Sequence, residues 1–137
     1  MDLHPGVELP SLQVGPVSAE KMKTMAALLC DSNPIHWDVA TVRALGMGDR
    51  PVNQGPNNMA YVMTMLTSWA GGYDRLRSFQ VRFVSNVFAG DQLISSGVVM
   101  AVREVSDGRL VDCDVRLESA EGLVVLEGTA TVWMPPS

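Results

Sequence analysis

Positive charge is scarce in this chain. Ten Lys and Arg stand against fifteen Asp and Glu, a net charge of −5, and no basic run occurs along the 137 residues. Without a basic stripe there is no electrostatic footprint for a polyanion, which argues against nucleic acid as a partner. Cysteine is nearly absent, with only Cys30 and Cys113 and no C-x-x-C. The other soft ligands are His4 and His36, so no zinc-ligand spacing is present, and the two cysteines read as reduced, partly buried thiols. Long apolar runs are missing too. No stretch approaches the roughly 18 residues that would span a bilayer. The start, Met1-Asp2-Leu3-His4-Pro5, carries no basic region followed by an apolar one, so the expectation is a cytoplasmic protein without a membrane segment.

What is present is an ordinary globular mix, 47% apolar and 18% charged. The length fits one domain, residues 1–137, with one hydrophobic core. The slight apolar surplus points to an oligomer interface. Nine methionines fall mostly in helical stretches, where their flexible side chains fill core gaps.

The chemistry concentrates in Asp31-Ser32-Asn33-Pro34-Ile35-His36-Trp37-Asp38. Pro34 has no N–H and biases Asn33 away from helix, so no regular helix runs through. The chain must bend, and a bend can aim Asp31 and His36 at one small volume. A carboxylate beside a histidine is the equipment for activating a water. Asp38 reads as a helix cap, Trp37 and Tyr61 as packing or pocket wall, and His4 as a surface residue.

Residues 1–17 contain Pro5, Pro10 and Pro16 and read as an extended arm with one short strand. Ser18 caps a helix over 18–29, with Glu20 in its first turn and Met22, Met25, Ala26 and Leu29 at helical spacing. A short helix follows Asp38 through Val39, Val42 and Leu45. Pro56 begins a longer helix over 56–70, striped by Met59, Val62, Met63, Leu66 and Trp69 and stopped by Gly71-Gly72. Then the period changes to two. Phe79, Val81 and Phe83 alternate with polar residues, and strands are expected over 92–105, 111–117 and 123–134, punctuated by Ala89-Gly90-Asp91, Asp107-Gly108 and Glu121-Gly122. Helices first and antiparallel strands afterwards predict an α+β fold. The strands form a meander entered from Phe79, and its four strands curve around the long helix.

Asp31-x-Asn33-Pro34-x-His36-x-Asp38 resembles the signature of the MaoC-like hot-dog-fold dehydratases, the (R)-specific enoyl-CoA hydratases. The similarity continues through Arg50-Pro51-Val52, Gly55, the long helix and Phe88-Ala89-Gly90-Asp91, and covers residues 15–135. It implies a hot-dog fold and a hydration mechanism. Asp31 and His36 would hold one water and take its proton as it attacks the β-carbon of a trans-2-enoyl thioester, with syn addition. The Gly55 N–H would receive the charge developing on the thioester oxygen. Substrate would meet the positions of Asn33, Gln54, Asn57, Asn58 and Arg82, with Asn33 bracing the loop rather than reacting and Arg82 available to a coenzyme A phosphate. The resemblance implies no metal and no redox cofactor; coenzyme A enters as part of the substrate.

The chain departs from the family pattern at Gln54, where relatives often carry histidine, at Pro56, and at Asn57-Asn58, where the common pattern is apolar. These changes fall on the acyl pocket and the carbonyl site. Thr67-Ser68-Trp69-Ala70-Gly71 is similar to small hydratase subunits that act on steroid side-chain acyl-CoAs as heteromers. A homodimer, or a heteromer with another hot-dog subunit, would protect the open sheet edges. Two alternatives stay open. One is a hot-dog acyl-CoA thioesterase, which would direct water at the carbonyl carbon. The other is a non-catalytic subunit that stabilises a hot-dog partner.

Overall fold

A computed structural model describes residues 1–137. In chain order the elements are β1 (Leu12–Val14), α1 (Ala19–Leu29), a 3-10 turn (Pro34–His36), α2 (Val39–Ala44), α3 (Gly55–Ala70), a second 3-10 turn (Tyr73–Arg75), β2 (Leu76–Phe83), β3 (Leu93–Val105), β4 (Gly108–Ser119) and β5 (Val124–Met134). One antiparallel sheet holds all five strands in the order β1-β3-β4-β5-β2. Its concave face wraps α3, the arrangement of a hot-dog fold. No helix is long and apolar enough to cross a membrane.

The local signals explain most of the boundaries. Ser18 accepts a hydrogen bond from the Lys21 amide, capping α1. Gly71 closes α3 in the left-handed region at φ 94°, with its N–H returned to the Thr67 carbonyl. On β4, Val111, Cys113, Val115 and Leu117 are buried while Asp114 and Arg116 are exposed, the alternation expected of a half-buried strand. Val62, Met65, Leu66 and Ala70 of α3 complete the core against β4 and β5.

The structure corrects two expectations. The meander β3-β4-β5 forms, but β2 does not lead into it as a neighbour. It pairs with β5 at the far edge, Phe79 opposite Ala130 and Val81 opposite Gly128, while β1 from the N-terminal arm takes the edge beside β3. The cause is connection length: residues 84–92 are too many for a tight hairpin, so the segment crosses the end of the sheet and buries Val87. The buried face of α3 is also rotated from the expected stripe. Met63 is 36% exposed, whereas Met65, Ala70 and the polar Asn58 are buried.

The two cysteines differ. Cys30 is exposed and Cys113 buried. Burial, reinforced by the charges of Asp112 and Asp114, pushes the Cys113 thiol up to about 12. Alkylation of native protein at pH 8 is therefore expected to label Cys30 alone, with Cys113 reacting only in denaturant; peptide mass mapping reads both. The raised value also favours the folded state. This contribution is complete below the unfolded-chain value of about 8.5. It is lost as pH rises through about 12.

Candidate active site

The geometry starts at the C-terminus of α1. Cys30 adopts φ 51°, a left-handed conformation uncommon for a residue with a Cβ. Its N–H and that of Asp31 both return to the Ala26 carbonyl. This cap turns the chain sharply, and Asp31 emerges facing the next turn. One Asp31 oxygen accepts the Asn33 amide at 3.0 Å, and Asn33 Oδ1 accepts the Ile35 amide at 3.3 Å. These two local bonds, with Pro34 in the first position, wind the 3-10 turn that delivers His36. Asp38 then accepts from the Ala40 amide and the Thr41 hydroxyl, capping α2. The Asn33 and Asp38 carbonyl and carboxylate oxygens thus serve the local turn and helix cap.

His36 is buried at 8% exposure, and its Nε2 lies 3.2 Å from Asp31 Oδ2. Its Nδ1 lies 2.6 Å from the Val52 carbonyl oxygen. A carbonyl only accepts, so Nδ1 carries the hydrogen and Nε2 is left to face Asp31. A neutral Nε2 and an ionised carboxylate are both acceptors. At that spacing they call for one shared donor: a proton between them, or a molecule that offers an O–H. Asp31 keeps about a third of its side chain exposed, so the pair is reachable.

Residues 50–54 hold this pair against the start of α3. The Val52 N–H donates to the Ile35 carbonyl at 2.9 Å, and the Asn53 N–H to the Val87 carbonyl at 2.7 Å. Arg50 reaches the Ala89 carbonyl and Asp91 at 2.8 and 2.9 Å and stacks over Phe88. Asp91 in turn accepts the Phe88 amide. The sequence landmarks Arg50-Pro51-Val52 and Phe88-Ala89-Gly90-Asp91 are therefore two sides of one clamp.

At the first turn of α3, the amides of Asn57 and Asn58 both return to the Gln54 carbonyl, and Pro56 has none. The Gly55 N–H has no acceptor in the chain and carries the positive end of the helix dipole. Gly55 is packed against Phe83 of β2. A Cβ there would lie 3.2 Å from the ring's Cζ, so the glycine permits this close approach.

The carboxamides beside Gly55 are mostly spent within the protein. Gln54 is 1% exposed, donates to the Met22 carbonyl at 2.8 Å and accepts from Asn57. Asn58 is 3% exposed and accepts from Asn53. Arg82 is not brought to the pair. It alternates with Phe83 on β2, so it faces the opposite side of the sheet, where Glu127 binds it at 2.7 Å. Three groups escaped the sequence reading: the Val52 carbonyl, Asn53 and Phe83. The density of carboxamides at 53, 54, 57 and 58 was a usable signal, because buried amides must find partners.

A curved antiparallel sheet around one helix, with an Asp–His pair at that helix's N-terminal end, defines a hot-dog protein of the hydratase and dehydratase class. Residues 7–121 match the family profile described as MaoC like domain, and the chain belongs to the MaoC-like dehydratase family. It is similar to the mitochondrial 3-hydroxyacyl-(acyl-carrier-protein) dehydratase of Arabidopsis thaliana, at 26% identity over 119 residues, 86% of this chain and 70% of that protein. Among solved structures it is similar to the (R)-hydratase from A. caviae involved in PHA biosynthesis, with TM-score 0.84, 25% identity, and 97% of this chain and 98% of that one covered. The ChsH1–ChsH2 complex from Mycobacterium tuberculosis shares the fold, with TM-score 0.79, 24% identity, and 96% and 98% covered.

Proposed function

We propose that the protein adds water to a trans-2-enoyl-CoA to give a 3-hydroxyacyl-CoA, or runs the reverse dehydration. The observation that carries this reading is the 3.2 Å Asp31–His36 pair with the far side of the imidazole pinned to Val52. A water between the two acceptors donates one hydrogen to each, leaving an oxygen lone pair for the β-carbon. As the C–O bond forms, the water's proton passes to the pair and the electrons of the double bond move to the thioester oxygen. The Gly55 N–H receives that developing charge. A proton from the same pair then reaches the α-carbon, on the face where water entered, so addition is syn and atoms balance. The thioester supplies the electron sink, so no metal or redox cofactor is required.

Groups placed this way contribute about 10²- to 10⁴-fold through acid–base work. A single oxyanion donor contributes about 10²- to 10³-fold. The unpaired outer edge of β2, ending in the half-exposed Phe83 and followed by the half-exposed Val84, favours a second hot-dog subunit, identical or different, as the assembly partner.

The test is mixing the protein with crotonyl-CoA, with crotonyl–acyl-carrier protein and with long-chain and steroid-type enoyl-CoAs, and following the enoyl absorbance together with free thiol. Loss of absorbance without thiol is the expected result. Thiol release without loss of absorbance would replace this reading with a thioesterase.

A further inference from the structure

We propose that Asn53 is a positioning residue for this site and that it acts through the peptide joining it to Val52. The inference rests on His36 being one of the reacting pair. The Val52 carbonyl and the Asn53 N–H belong to the same planar group. One end of that group accepts from His36 Nδ1 at 2.6 Å, and the other donates to the Val87 carbonyl at 2.7 Å. A line of hydrogen bonds therefore runs from Val87 through the 52–53 peptide to the imidazole, whose Nε2 faces Asp31 at 3.2 Å. In such a line each bond polarises the next. The Val87 acceptor makes the Val52 oxygen a stronger acceptor, which holds the hydrogen on Nδ1 and leaves the Nε2 lone pair facing Asp31. Because the peptide is rigid, its carbonyl end cannot turn away from His36 unless the N–H end leaves Val87.

The Asn53 side chain fixes that peptide relative to α3. It is 4% exposed. Its Nδ2 donates to Asn58 Oδ1 at 2.9 Å and to the Tyr61 hydroxyl at 3.0 Å, and its Oδ1 accepts from Asn57 Nδ2 at 3.0 Å. Both amide hydrogens and the oxygen are engaged inside the protein, so Asn53 has no donor left for substrate. It lies one bond from the carbonyl that orients His36 and two residues before the Gly55 donor. Its contacts thus set the spacing between the base and the oxyanion site. Gln54, through Met22, ties the same loop to α1, the helix whose cap turns the chain into Asp31.

The test replaces Asn53 with leucine, which keeps the branched skeleton, is somewhat larger, and deletes the three side-chain bonds. Two readouts are taken on the whole protein: kcat and KM on the enoyl thioester, and the His36 Nδ1–H resonance in ligand-free protein by nitrogen-filtered NMR. Assignment is simple, since His4 is the one other histidine. In a folded Asn53→Leu protein we expect kcat to fall about 10- to 100-fold, as small misplacements of reacting groups do. KM should stay within about twofold, because the residue spends its binding groups on the protein rather than on substrate. The Nδ1–H signal should shift and exchange faster with water. An unchanged Nδ1–H signal in the folded variant would overturn the proposal. If Asn53→Leu does not fold, Tyr61→Phe and Asn57→Ala each remove one of the three contacts. Smaller shifts of the same signal support the proposal, and none in either variant overturns it. If the signal moves but no enoyl thioester is hydrated by the native protein, the positioning role stands and the reaction assignment falls.

Discussion

Asp31→Asn and His36→Ala are each expected to lower turnover on a good enoyl thioester by about 10²- to 10⁴-fold. The Asp31→Asn variant is the cleaner of the two. The new amide oxygen can still accept the Asn33 amide that Asp31 accepts now, so the turn is retained. The new amide nitrogen would donate to His36 Nε2 and occupy the lone pair that has to take the proton. The fold should survive and the base should be lost. His36→Ala removes the donor that satisfies the Val52 oxygen. A buried unpaired carbonyl costs about 1–3 kcal/mol, so this variant should melt earlier as well as turn over more slowly. Steady-state kinetics with parallel thermal melts separate the two effects. Near-normal hydration by either variant would remove that residue from the mechanism.

Leu66→Ala is expected to destabilise the protein by about 2–5 kcal/mol. Leu66 is fully buried in the C-terminal half of α3, where the concave face of the sheet closes on the helix. Truncation loses the transfer energy of the removed carbons and leaves a cavity that a sheet pinned along its strands cannot collapse into. Urea unfolding should show a lower midpoint at an unchanged slope, the mark of altered stability rather than altered compactness. The Asp31–His36 geometry is built from local turns and from the 50–54 clamp, so the variant should keep its activity below the melting range. A loss of activity in step with nothing but the substitution, at temperatures where the protein stays folded, would mean that the helix core and the pair are coupled.

How much of this was readable beforehand follows from the range of the forces involved. The Asp31–Asp38 segment was legible because its geometry is local: one proline and two side chains bonding to amides two residues ahead. The hot-dog fold was legible because the change from helical to alternating period separates α3 from β3, β4 and β5. The partner of β2 was not, since pairing with β5 depends on where residues 84–92 cross, and no short-range signal encodes that path. The rotation of the buried face of α3 escaped for a similar reason. Apolar spacing marks a stripe but does not say that Asn58 will be buried inside it through Asn53. Arg82 read as a free cation on a polar strand face. Its ion pair with Glu127 joins residues 45 apart in sequence, which a strand-by-strand reading does not see. The Val52 carbonyl was invisible in principle, because a backbone oxygen has no letter in the sequence.

The most direct measurement is the fate of the solvent oxygen. Native protein is incubated with crotonyl-CoA in water enriched in oxygen-18, and the products are weighed by mass spectrometry. The expected product is an intact thioester carrying one heavy oxygen at carbon 3, formed about 10²- to 10⁴-fold more slowly by the Asp31→Asn protein. Heavy oxygen in the carboxylate of a released free acid, with carbon 3 unlabelled, would contradict it.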